Sequence, residues 1–176
     1  MLAYLFVILA VAVRFLPHPF TFTPVAASLL FFGARGSRRM MWLPVVLLAS
    51  SDLLLNKFVY AQRFEWDQFV SWVWYAAILW LGTRLRNNAG PVRLVGASLA
   101  SSVSFFIFSN LAVFLCYDDL YPKTWAGLMT CYEAAVPFFR HALVGDLLFT
   151  GVMFATPTVL HALSEAFGGS DHAAAA

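Results

Sequence analysis

Asp52 and Asn56 are four residues apart and share one face of a helix; Glu133 and Arg140, seven apart, share another. All four stand in or beside long apolar stretches. An ionisable side chain at that depth costs several kcal/mol unless it is paired or faces a wet cavity. Arg14 and His18 close the first apolar stretch, Lys57 follows Asn56, and Asn110, His141 and Asp146 interrupt two later ones. Between those two lie Tyr117, Asp118, Asp119, Tyr121, Lys123, Trp125, Cys131 and Tyr132. The gathering reads as the wall of a pocket for a small organic ligand. The candidate binding residues are His18, Asp52, Asn56, Asn110, Lys123, Cys131, Tyr132, Glu133, Arg140, His141 and Asp146. Of these, Asp52, Asn110, Lys123, Glu133 and Arg140 are expected to line a closed cavity on the order of several hundred Å³.

Each candidate has a plainer reading. Arg140, Asp146 and Asp52 can form buried pairs that only fix helix packing. Asp146 is six residues beyond Arg140 and does not share its face, so its partner must come from another helix, with Arg14 or Lys57 as candidates. Arg14 and Lys57 themselves read first as cations snorkelling to a headgroup layer. His18 and His141, with Asp52 or Glu133, have donor atoms for a metal, but none is spaced as metal motifs are, and no metal site is expected. Cys116 and Cys131 flank one loop; a disulfide closing about 15 residues would contribute about 3 kcal/mol. Their apolar flanks favour free, buried thiols instead. No GxGxxG, Walker, GxSxG, HExxH or CxxC pattern occurs, so neither an enzyme nor a cofactor is expected, and the chain cannot energise transport itself.

These residues need apolar elements to hold them. The chain of 176 residues is 61% apolar and 11% charged, with a mean hydropathy of +0.77. Soluble domains carry about 25% charge. Disorder is excluded by the same numbers, and a net charge of +2 without a basic stripe excludes a nucleic-acid binder. The expectation is an all-α, polytopic transmembrane bundle of about six helices in one domain, residues 1–167, with a flexible tail at 168–176. The spans are placed at about Met1–Leu16, Pro24–Ala34, Met40–Tyr60, Gln68–Leu85, Val92–Leu115 and Ala134–Leu163. The first lacks a basic leader and is followed by Pro17-His18-Pro19 where a cleavage site would need small residues, so it reads as a retained helix. The second is too short to cross fully and reads as a short tilted or re-entrant helix. Pro137 falls in the first turn of the last span, and Pro157 should kink it or end its membrane part.

Six of the eleven basic residues fall in two short connections: Arg35, Arg38 and Arg39, then Arg84, Arg86 and Arg93. The positive-inside rule makes these cytoplasmic, together with both termini, and puts the polar gathering in the outer half. Small residues recur at four-residue spacing from Gly96 to Ser104, which suits close packing within the bundle or against another membrane subunit. Trp66, Trp72, Trp74 and Trp80 read mostly as an interface belt, and as stacking surface for a ligand in the lesser reading.

The stretch Tyr121-Pro122-Lys123-Thr124-Trp125, with Cys131-Tyr132, Pro137-Phe138-Phe139-Arg140 and Gly145-Asp146, resembles the DUF6580 family of small bacterial inner-membrane proteins. Arg14-Phe15-Leu16-Pro17-His18-Pro19, Phe22-Thr23-Pro24 and Ser51-Asp52 carry the likeness through nearly the whole chain. The likeness implies a multi-pass protein of a bacterial inner membrane and no known activity. In size and layout the chain also resembles the substrate-binding S components of energy-coupling-factor vitamin transporters. The alanine-spaced docking motif of many such components is absent; Ala3, Ala10 and Ala12 do not make it. A cobalamin-type likeness would make Cys131 a thiolate ligand to cobalt. Two functions follow as expectations: capture of a small organic nutrient such as a vitamin from the periplasmic side, or a non-catalytic accessory subunit of a larger membrane complex.

Overall fold

Eight consecutive residues, Ala27 to Ala34, are buried, which is what a helix apolar on every side requires. They belong to α2, Val25–Arg35, the shortest of the six α-helices among the described residues, packed against α1, α4, α5 and α6. The computed structural model describes residues 1–16, 23–61 and 65–173, with side chains through residue 167. Around α2 stand α1 (Leu2–Val13), α4 (Asp67–Thr83), α5 (Pro91–Cys116) and α6 (Trp125–Ala173), while α3 (Trp42–Phe58) packs on α1 and α4. A single 3-10 turn, Arg38–Met40, leads into α3, and no strand occurs among the described residues. Among the described residues, three helical stretches are long and apolar enough to cross a membrane: Arg38–Phe58, Pro91–Cys116 and Trp125–Phe167.

Phe31 and Phe32 organise the core. Phe31 meets Phe6 and Phe154 edge-on at 5.0 and 5.1 Å, and Phe32 meets Tyr4 edge-on at 5.1 Å. On the α4 side, α2 makes a backbone crossing. A Cβ on Gly33 would lie 2.8 Å from the Gly82 Cα, and one on Gly82 would lie 3.0 Å from the Leu30 Cα. Only glycine at both positions lets the helices approach so closely. Arg86 then closes the end of α2, its guanidinium donating to the Gly33 carbonyl at 2.8 Å and the Gly36 carbonyl at 2.9 Å. The last carbonyls of a helix lack intrahelical donors and carry negative partial charge, so a cation there is favourable.

The α5–α6 joint is built from the YPKT stretch. The Lys123 ammonium bonds the Phe114 carbonyl near the end of α5 and pairs with Asp118 at 3.2 Å. Thr124 caps α6, its hydroxyl accepting from the Gly127 N–H at 3.1 Å. A side chain on Gly127 would strike the Pro122 backbone. This cap starts α6 at Trp125 rather than near Ala134, and places Pro137 inside the helix instead of in its first turn. Neither Pro137 nor Pro157 ends the helix, which continues to Ala173.

Candidate functional site: a cavity above a short helix

α2 has 11 residues against the 26 of α5, and Arg86 closes its C-terminal end. Beyond its first turn lies a cavity of about 290 Å³. All six helices or their ends reach it, through Arg14, Val25, Leu55, Tyr75, Phe105 and Asp146. Trp74 and Ser101 lie in the same wall, the Trp74 indole donating to the Ser101 carbonyl at 3.4 Å. Val25 and Ala26, in the first turn of α2, border the space, and no side chain caps that end among the described residues. The first N–H groups of a helix have no intrahelical acceptor and carry positive partial charge.

One wall is an ionic network. The Arg14 guanidinium pairs with Asp52 and donates to the Ser51 hydroxyl at 2.6 Å. Asp52, 4% exposed, also accepts from the Trp72 indole at 3.0 Å and the Tyr75 hydroxyl at 3.4 Å. One helical turn further along α3, Asn56 donates to Gln68, so the α3–α4 seam carries polar contacts on two successive turns. Asp52 therefore sits behind the cavity and fixes Arg14 and Tyr75, which line it.

Across the cavity, Asp146 accepts a hydrogen bond of 2.6 Å from the Ser102 hydroxyl of α5. Asp146, Phe105 and Ala142 also border a second cavity of about 190 Å³, which Asn110 lines. Asp146 has no cationic partner among the described residues. Neither expected partner reaches it: Arg14 is committed to Asp52, and Lys57 is exposed with its ammonium 5.4 Å from the Phe58 ring centre. Arg14 is correspondingly an ion-paired residue and not a snorkelling one.

The expected binding residues divide by the surfaces on which their helices carry them. Asp146 lines both cavities and Asn110 the second, while Asp52 supports the first from behind and Asn56 joins two helices. Lys123 is not in a cavity wall, because the α5 terminus holds its ammonium. Glu133 and Arg140 share a face, but it is exposed, and neither has a polar partner among the described residues. His141 is also exposed, its Nδ1 lying 2.8 Å from the Pro137 carbonyl oxygen. Tyr132 donates to the Ile107 carbonyl at 2.7 Å, and buried Cys131 points its thiol at the Asn110 carbonyl at 3.6 Å. Both cysteines are free thiols, and Cys131 lines neither cavity. His18 lies outside the described residues. In the loop beyond α5, burial and then the Asp67 carboxylate push the Tyr117 phenol above its ordinary pKa.

Sequence reasoning missed Tyr75, Ser101 and Phe105 as cavity residues. Polar or aromatic residues in a helix apolar all round carry no signal of direction, and these three become distinctive only once α2 is seen to stop short. The small-residue run of α5 splits in the same way. Ala97, Ser98, Ser101 and Ser102 are buried, whereas Gly96 and Ala100 face outward, and a Cβ on Gly96 would meet nothing within 4 Å.

A model described as a family of unknown function, DUF6580, matches residues 1–167, and the chain belongs to that family. No curated protein and no solved structure matches it.

Proposed function

We propose that this member of the DUF6580 family is an integral membrane protein that captures a small organic molecule, bearing a carboxylate or similar acidic group, in the cavity above α2. The observation that carries the reading is one cavity lined by Arg14, by the first turn of α2, which has no side-chain cap among the described residues, and by aromatic surface from Trp74, Tyr75 and Phe105. A half-length helix ending inside a bundle directs its positive end at a bound anion, and rings supply the apolar contact. The cavity volume suits a compact nutrient.

All six helices lie in the inner membrane of a bacterium in this reading. Arg35, Arg38, Arg39, Arg84 and Arg86 mark the cytoplasmic end, both termini included, and the cavity belongs to the periplasmic half. The chain then resembles a substrate-binding component of a vitamin transporter in role, with energy supplied elsewhere. Native mass spectrometry of the gently extracted protein, followed by titration of Trp74 fluorescence with small carboxylic acids and their amides, tests it. A retained acid, and quenching by acids that Trp74→Phe abolishes, are expected. Equal response to acids and amides, with nothing retained, overturns the reading.

A second reading, an accessory subunit of a larger membrane complex, is favoured by the outward-facing Gly96 and Ala100 of α5. A fixed set of co-extracted subunits, and no small molecule, would select it.

A further inference from the structure

We propose that Asp146, Ser98, Ser102 and Thr150 form a binding site for a monovalent metal cation, sodium, at the α5–α6 interface between the two cavities. Hydroxyls in apolar helices, buried or exposed, ordinarily satisfy themselves by bonding back to a carbonyl one turn earlier. Ser101 does so to Ala97 at 2.8 Å, Thr130 to Ala126 at 3.0 Å and Thr156 to Val152 at 2.8 Å. Ser98 and Thr150 do not. Their hydroxyls are fully buried, at 0% and 2% residue exposure, and make no hydrogen bond among the described residues.

Their positions are specific. Ser98 is one turn from Ser102, and Thr150 is one turn from Asp146, while the Ser102–Asp146 bond joins the two helices. The two carboxylate oxygens and three hydroxyls thus occupy one stripe of the interface. Asp146 reaches both cavities from it, so an ion has a path. Oxygen-only donors suit hard cations, and a single carboxylate balances one positive charge; divalent sites gather several carboxylates or keep much of their water. Sodium neutralises the buried carboxylate and gives the orphaned hydroxyl oxygens a partner.

The sodium site can be tested without the organic ligand. Full-length protein in nanodiscs is titrated with radioactive sodium, and its thermal unfolding is followed in sodium chloride against choline chloride at constant ionic strength. Saturable sodium binding and a sodium-specific rise in Tm are expected. Asp146→Asn should abolish both, and Ser98→Ala with Thr150→Val, which conserve shape, should weaken binding roughly tenfold. Should Asp146→Asn fail to fold, the hydroxyl variants decide: unchanged sodium affinity in the pair overturns the site. Equal responses to sodium and choline, or a response that follows pH alone, likewise overturn it.

Discussion

Arg14, just past the end of α1, is ion-paired with Asp52 in the middle of α3, 38 positions along the chain. The pair holds three helices at one corner of the cavity, because Asp52 also accepts from Trp72 and Tyr75 of α4. Removing one member of a buried pair strands the other charge and costs about 3–5 kcal/mol, whereas replacing both by apolar groups is far milder. Arg14→Met should therefore lower thermal stability strongly, and Arg14→Met with Asp52→Leu should recover most of the loss. Unfolding of the single and double variants in detergent checks this; simple additivity would mean that the two charges act separately.

The backbone crossing of α2 and α4 makes a contrasting prediction about glycines. Gly33→Ala and Gly82→Ala each force two helices apart and should cost about 1–3 kcal/mol. Gly96→Ala and Gly151→Ala meet nothing within 4 Å and should leave Tm unchanged or raise it. Thermal melts of the four variants read the difference directly.

At the α5–α6 joint, Thr124→Ala removes the cap of α6 and should cost about 1 kcal/mol. The effect should be local, with faster amide exchange at 125–128 and unchanged protection in α2. Exchange that quickens throughout the bundle would assign Thr124 a wider role.

The two proposals together predict a sign of coupling. Without its cation, Asp146 presents negative charge to the cavity that receives an acid; with sodium bound, that wall becomes neutral. Saturating sodium should tighten binding of the carboxylate ligand by about tenfold, within the usual range of coupling between sites. The ligand must then raise sodium affinity by the same factor. Calorimetric titration in sodium and in choline measures both directions, and weaker acid binding in sodium would contradict the arrangement.

Helix number and the brevity of α2 were legible in the sequence because both follow from the length of apolar runs between breaks. The start of α6 was hidden by its own chemistry: Thr124 is a good cap, but Gly127, Thr130 and Glu133 break up the apolar run that follows it. Which way a polar residue faces was hardly legible at all. Glu133 and Arg140 share a face as their spacing requires, yet that face is exposed, since a helix apolar on every side has no sequence signal for its inner face. Arg14 looked like a helix-end cation because its partner lies in α3, and only the packing of α1 on α3 brings Asp52 to it.

The point where α2 begins also sets the depth of the cavity. One more turn at its N-terminus would push the helix about 5.4 Å further along the bundle axis. One turn fewer would deepen the space by as much, with the wall residues of the other helices left in place. The size of molecule admitted is thus separable from the groups that recognise it. Insertion or deletion of three or four residues before Val25 would act like moving a piston in a cylinder of fixed bore.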